Sequence, residues 1–204
     1  MIQPKLSLLS PNAIQAIHDT SLQVLRDVGV LVHHEGVLER LAEAGAKVDR
    51  NSKLTRFGEK MVMEAIERSG KQFTLHGRDP ENVARFGYGD ANLIASPGQF
   101  GWFDHDGAAR RDPVLADAQA AARVGDALDN ITIVGAMAAP KDVPVAIRDV
   151  VLTAEMVKLS TKPTRCWPIS RRSSHYVLEI YAAVAGGKDA LRKRPMTESF
   201  LEPI

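Results

Sequence analysis

Residues 130–168, NITIVGAMAAPKDVPVAIRDVVLTAEMVKLSTKPTRCWP, decide the fold. They open on a β-branched run, Ile131-Thr132-Ile133-Val134, pass through a helical segment, and close on a short run ending in Cys166-Trp167-Pro168. Strand, helix and strand in that order make one βαβ unit. Two parallel strands need a crossover of about a dozen residues or more. Residues 146–161 supply it, with Ile147, Val150, Val151, Ala154 and Val157 on one face for packing on a sheet. Ligands in α/β folds collect at the carboxyl ends of parallel strands, so a site is expected at residues 137–140 and 166–168.

Outward from this unit the alternation continues. Asp112-Pro113 reads as the cap and first position of a helix over 116–128. A further amphipathic helix is expected over 173–185, with Val177, Ile180, Tyr181 and Val184 inward and Gly186-Gly187 as its stop. A last strand is expected over 196–201, before Glu202-Pro203-Ile204. A strand there with no covering helix leaves an open edge, which predicts self-association into homo-oligomers.

Towards the amino terminus, residues 73–106 change character. Short extended runs at 73–75, 83–86, 92–95 and 100–103 are separated by Gly77-Arg78-Asp79-Pro80, Gly87-Tyr88-Gly89-Asp90 and Ser96-Pro97-Gly98, which reads as a β-meander. Asp106-Gly107 is a hairpin-type turn signal. Three helices are expected before it. Ser10 and Pro11 start the first, which ends at Gly29 and sets Ile14, Ile17, Ser21, Val24, Leu25 and Val28 on one stripe to be buried. The others cover 35–44 and 58–68. His33-His34 is no metal motif, because adjacent side chains diverge and no third ligand follows at a usable spacing.

The expected organisation is thus a helical segment over 1–72, a meander over 73–112 and βα units over 113–204. About two and a half units are present where a closed barrel has eight. The fold class is α/β, as a small open sheet or as the leading part of a larger barrel.

Composition excludes several functions. A hydrophobic content of 45% with 25% charged residues is that of a globular chain with a core. A net charge of +1 and no basic block longer than Arg192-Lys193-Arg194 leave no electrostatic footprint for nucleic acid or an anionic membrane. The single cysteine, Cys166, excludes an internal disulfide and agrees with a reducing compartment. The amino terminus lacks a signal-peptide pattern, and no apolar run reaches membrane-span length, so the cytoplasm is expected. Gly98-Gln99-Phe100-Gly101 lacks the lysine and hydroxyl of a phosphate loop. Nothing beside Cys166 in the sequence lowers its pKa, so it is not expected to be a nucleophile.

Several segments, in order, carry a family resemblance. They are Leu8 to Ser10 with Ile14 and 17–30, then 41–49, and Phe73-Thr74-Leu75-His76-Gly77-Arg78-Asp79-Pro80. Gly107 with Arg110-Arg111 and Asp117 follows, then Thr161-Lys162-Pro163, and Ala185-Gly186-Gly187 with Leu191-Arg192 and Pro195. Together they resemble the amino-terminal part of the trimethylamine methyltransferase family. The resemblance implies an incomplete TIM-type (β/α) barrel behind the helical segment and meander. It implies an enzyme that moves a methyl group from a methylamine or a betaine-like quaternary amine to a corrinoid (cobalamin) held by a separate corrinoid protein, with no cofactor bound directly. In some members the catalytic position holds pyrrolysine on a later strand, so the catalytic residue maps to no position in this chain, and the isolated 204 residues are expected to be inactive.

The site residues follow from the chemistry of such a substrate. A quaternary ammonium has no hydrogen to donate, so aromatic faces and carboxylates must recognise it. Trp167 and Met137 stand at expected strand ends, Trp102 and Phe103 are candidates for the same mouth, and Glu198 or Glu202 is a source of negative charge. Arg110 and Arg111 are candidates for holding the carboxylate of a betaine. Each has a plainer reading: Trp167 plugs the barrel, the other rings fill space, Glu202 meets solvent and the arginines form a solvated turn. A non-catalytic binding or assembly module and a gene remnant are the alternative functions.

Overall fold

The computed structural model describes residues 8–104 and 109–198. The chain forms two compact units, residues 1–70 and 71–204.

In the first unit, α1 (Pro11–Asp27) starts where Ser10 Oγ accepts a hydrogen bond from Ala13 N at 3.2 Å. It ends before Gly29, whose positive φ and close approach to the Thr55 carbonyl leave no room for a side chain. Then come β1 (Val30–Leu31), α2 (Glu35–Glu43), β2 (Lys47–Asp49), β3 (Leu54–Arg56) and α3 (Glu59–Arg68). The strands form an antiparallel sheet in the order β1-β3-β2, so the purely helical front end expected from sequence is corrected. Strands of two or three residues are too short to show an alternation. The expected burial of the α1 stripe is also corrected: Leu22 is buried, while Ile14 and Ile17 are 57% and 56% exposed and Val24 and Val28 are open as well. The inward face is turned towards Leu22, on the flank of the apolar sector. His34 serves as the α2 cap, its Nδ1 accepting from Val37 N at 3.3 Å.

The second unit opens with the hairpin of β4 (Phe73–His76) and β5 (Val83–Phe86), in which Leu75 faces Ala84 and the Phe73 and Phe86 rings stack at 4.5 Å. Next, β6 (Trp102–Phe103) pairs with β7 (Arg110–Arg111); the expected turn at Asp106-Gly107 lies outside the described residues. The four extended runs therefore do not make one meander. The third run leaves the hairpin, and Ile94 makes a parallel bridge to Ile133 instead. Alternation marks a strand but does not name its partner.

After α4 (Leu115–Ala127) the expected βαβ unit is present: β8 (Val134–Gly135), a 3₁₀ turn (Val145–Ile147), α5 (Arg148–Leu159) and β9 (Thr164–Arg165). β8 and β9 are parallel, Val134 opposite Thr164. Gly135 is required here, because a Cβ would collide with the carbonyl oxygens of Ala95 and Ser96. The buried face of α5 carries Leu152, Thr153, Met156 and Val157; of the expected Ile147, Val150, Val151, Ala154 and Val157 set, Val157 is buried and Val150 packs half-buried on the core, while the exposed Ile147 corrects the expected phase. α6 (Arg171–Ala185), capped by Ser170, buries Val177 and Tyr181 while Val184 stays exposed, and α7 (Lys188–Lys193) follows. Of the strand expected over 196–201, residues 199–201 lie outside the described set. Its start touches the sheet through Thr164 N donating to Met196 O at 3.3 Å. α4, β8, α5 and α6 share one core of Ala118, Ala122, Val134, Met156, Val157 and Tyr181. The second unit is α/β, with small sheets and no closed barrel among the described residues.

Two helix ends are held from a distance. Asp112-Pro113 does not cap α4; Val114 N and Leu115 N donate to the Asp117 and Asp142 carboxylates at 2.8 and 2.9 Å. At the other end of α4, Asp126 accepts from Thr161 N at 2.7 Å and from the Ser160 and Thr161 hydroxyls at 3.0 Å. Burial works to raise the Asp126 pKa, but these three bonds and Lys162 together hold it below the ordinary carboxyl value. A depressed folded-state pKa gives stability that is present above the ordinary carboxyl range and lost as pH falls through it. We therefore expect Asp126→Asn to cost about 1–3 kcal/mol at pH 7. Urea unfolding checks this, and the gap from wild type should narrow below pH 4, the ordinary value being 3.8. A gap unchanged by acid contradicts the assignment.

Candidate functional site

The parallel pair fixes the place of the site. β8 and β9 end side by side, so residues 136–140 and 166–169 leave the sheet at the same edge, next to the 96–100 segment that follows the Ile94 bridge. The first turn of α5 faces them. Between these parts lies a cavity of about 340 Å³ whose wall is mostly apolar and includes Leu152, Met156, Phe100 and Trp167. Two charged residues complete it, Arg148 and Asp149. Trp167 is 51% and Phe100 63% exposed, so both rings offer surface to a ligand. Phe100 already attracts a cation: Lys141 Nζ lies 5.7 Å from its ring centroid.

The charged pair is held by backbone. Asp149 Oδ2 accepts from Ile169 N at 2.7 Å and Oδ1 from Val150 N at 3.0 Å, which ties the Trp167 segment to the start of α5. Arg148 donates through Nε and Nη2 to the Val143 carbonyl at 3.3 and 3.1 Å. Cys166 also lines the cavity; burial pushes its thiol up, and it contacts Thr197 Oγ1 at 3.7 Å. Tyr181 shares a 2.7 Å hydrogen bond with Thr164 Oγ1, and burial drives its phenol well above the ordinary value. Both groups are therefore neutral at pH 7. Among the described residues, no group of three His, Cys, Asp or Glu side chains is placed to hold a metal ion.

Of the residues expected from sequence, Trp167 stands in the cavity wall. Met137 sits beside it rather than in it. Its φ of +55° is rare for a side-chain-bearing residue, and it is held there by Met137 N donating to Ser96 O at 3.0 Å and by Ser96 N against its sulfur at 3.2 Å. Trp102 packs on the main core, and Phe103 is 60% exposed; neither lines the cavity. Glu198 pairs with Arg165 at 3.3 Å, and Glu202 lies outside the described residues.

Arg110 and Arg111 are likewise placed away from the cavity. The Arg110 guanidinium covers Gly101. Arg111 is a structural clamp, donating to Asp117 at 2.7 and 2.8 Å and to Asp104 at 2.9 to 3.1 Å. Its hydrogen bonds hold the Asp117 carboxyl below the ordinary value. Phe100, which the sequence reading weighed with Trp102 and Phe103 as a ring for a pocket, does line the cavity, and the reading missed Arg148 and Asp149. Their signal was the charged pair at the start of a crossover helix, which the assumed helix phase turned away from the core.

The family described as Trimethylamine methyltransferase (MTTB) matches over residues 2–202. Glycine betaine methyltransferase of Desulfitobacterium hafniense (strain Y51) is 29% identical over 204 residues, covering 98% of this chain and 42% of the relative. Trimethylamine methyltransferase MttB of Desulfitobacterium hafniense (strain DSM 10664 / DCB-2) is 30% identical over 188 residues, 92% of this chain and 38% of the relative. MttB of Methanosarcina barkeri matches over 75 residues, 37% of this chain. The chain thus spans less than half the length of these curated relatives, and it belongs to the trimethylamine methyltransferase family.

Proposed function

We propose that the chain forms one wall and part of the substrate mouth of a (β/α) barrel, incomplete here, that moves a methyl group from a quaternary amine to a corrinoid carried by a separate protein. The observation that carries this reading is the half-exposed Trp167 ring at the carboxyl end of β9, in the wall of a 340 Å³ cavity. The parallel β8–β9 pair and the Ile94–Ile133 bridge are what a barrel wall requires at this point.

The cavity of about 340 Å³ has room for a small methylated amine and none for a corrin ring, so a corrinoid acceptor would be brought to it by a separate protein. When present, it supplies the strong nucleophile that a methylammonium donor needs and that no side chain of this chain provides. The work of these residues is then to bind and orient the cation. Trp167 and Phe100 present π faces to it, each contributing on the order of 1–2 kcal/mol when desolvated. The apolar wall strips water from the N-methyl groups. A cytoplasmic location and self-association are part of the same proposal, which also leaves the catalytic residue unassigned.

Two measurements bear on this reading. Calorimetric titration with tetramethylammonium is expected to show binding that weakens about tenfold in Trp167→Ala; unchanged affinity contradicts the role of the ring. With reduced cobalamin as acceptor, the 204 residues are expected to give no methyl transfer from trimethylamine or glycine betaine, and turnover by this chain alone contradicts the barrel-wall reading.

A further inference from the structure

We propose that Arg148 anchors a substrate carboxylate, so that the cavity selects zwitterionic betaines over amines bearing only the positive charge. This rests on the reading of the cavity as a quaternary-amine site.

Arg148 is 9% exposed and stands in the lining of the cavity. A guanidinium is charged at every relevant pH, and burying it without a counter-anion is costly. Three other cations of this unit have carboxylates: Arg111 has Asp117 and Asp104, Arg165 has Glu198, and Lys158 has Glu155. Arg148 has only the neutral Val143 carbonyl, held by Nε and Nη2. Among the described residues, no carboxylate is within ion-pair distance of it and Nη1 makes no hydrogen bond. Asp149 is not its counter-ion: the two side chains form no ion pair, and the Asp149 oxygens are turned to Val150 N and Ile169 N.

The terminal edge of the guanidinium, Nη1 with the second hydrogen of Nη2, is thus a ready donor pair for one carboxylate. The same wall carries Trp167 and Phe100. A betaine bears a quaternary ammonium and a carboxylate joined through one carbon, which matches a buried guanidinium and aromatic faces in one small cavity. A simple alkylammonium leaves the guanidinium without its anion and brings a second positive charge close to it. The anchor stands at the start of α5 and leaves Arg111 to its structural clamp.

Calorimetric titration of the chain with glycine betaine, tetramethylammonium and 3,3-dimethylbutyrate, in which carbon replaces the charged nitrogen, tests this. Glycine betaine is expected to bind at least about tenfold more tightly than tetramethylammonium, and Arg148→Gln to close that gap through lost betaine affinity, with Arg148→Lys restoring part of it. Tighter binding of 3,3-dimethylbutyrate than of tetramethylammonium would further support the anchor. Equal affinity of wild type for betaine and tetramethylammonium overturns the proposal and leaves the ammonium site standing. Failure of every quaternary ammonium to bind overturns both. The wild-type comparison can overturn the proposal even if the Arg148 variants do not fold.

Discussion

The parallel pairing of Val134–Gly135 with Thr164–Arg165 is the constraint on which the second unit depends. Parallel neighbours cannot be joined by a tight turn, so the chain must cross over, and α5 is that crossover. The pairing sends residues 136–140 and 166–169 out at one edge, and the Ile94–Ile133 bridge brings residues 96–100 to the same place. Gly135 permits this closeness, since any side chain there would meet the Ala95 and Ser96 carbonyls. The cavity is the space left above the strands. Its lining comes from segments far apart in sequence, and backbone geometry holds them together.

Much of this was legible because local chemistry and global fold agree in the relevant stretch. The β-branched run, the amphipathic crossover and Cys166-Trp167-Pro168 read as one βαβ unit. Trp167 at its strand end followed directly. The caps at Ser10 and Gly186 read equally well, since capping depends on neighbouring residues only. The phase of α5 did not. Its apolar residues nearly encircle the helix, so periodicity does not choose between the Val150 and Leu152 faces, and Arg148 and Asp149 were lost with that choice. Asp142 at the start of α4 and Ile133 beside Ile94 are long-range relations that no local pattern encodes.

The residues that carry the family resemblance build the scaffold rather than the cavity. Gly77 presses on the Thr161 carbonyl with no room for a side chain, Arg78 donates to Ser160 O at 3.3 Å, and Asp79 N donates to Thr161 O at 3.0 Å. Asn82 and Asp126 bind the Thr161 hydroxyl at 2.9 and 3.0 Å. Two short motifs some eighty residues apart thus meet before β9. Arg111 and Asp117, another pair in the resemblance, join β7 to α4. Motifs of this kind identify a family by how it is held together. The residues to which we propose the choice among amines falls, Phe100, Arg148 and Trp167, belong to none of those motifs.

One site, recognising a quaternary ammonium on aromatic faces above β8 and β9, is the central claim. Nuclear Overhauser contacts between the N-methyl protons of glycine betaine and assigned ring protons of the chain test it most directly. Contacts to Trp167 and Phe100 are expected. Contacts confined to Trp102 and Phe103, or none at ligand saturation, would contradict it.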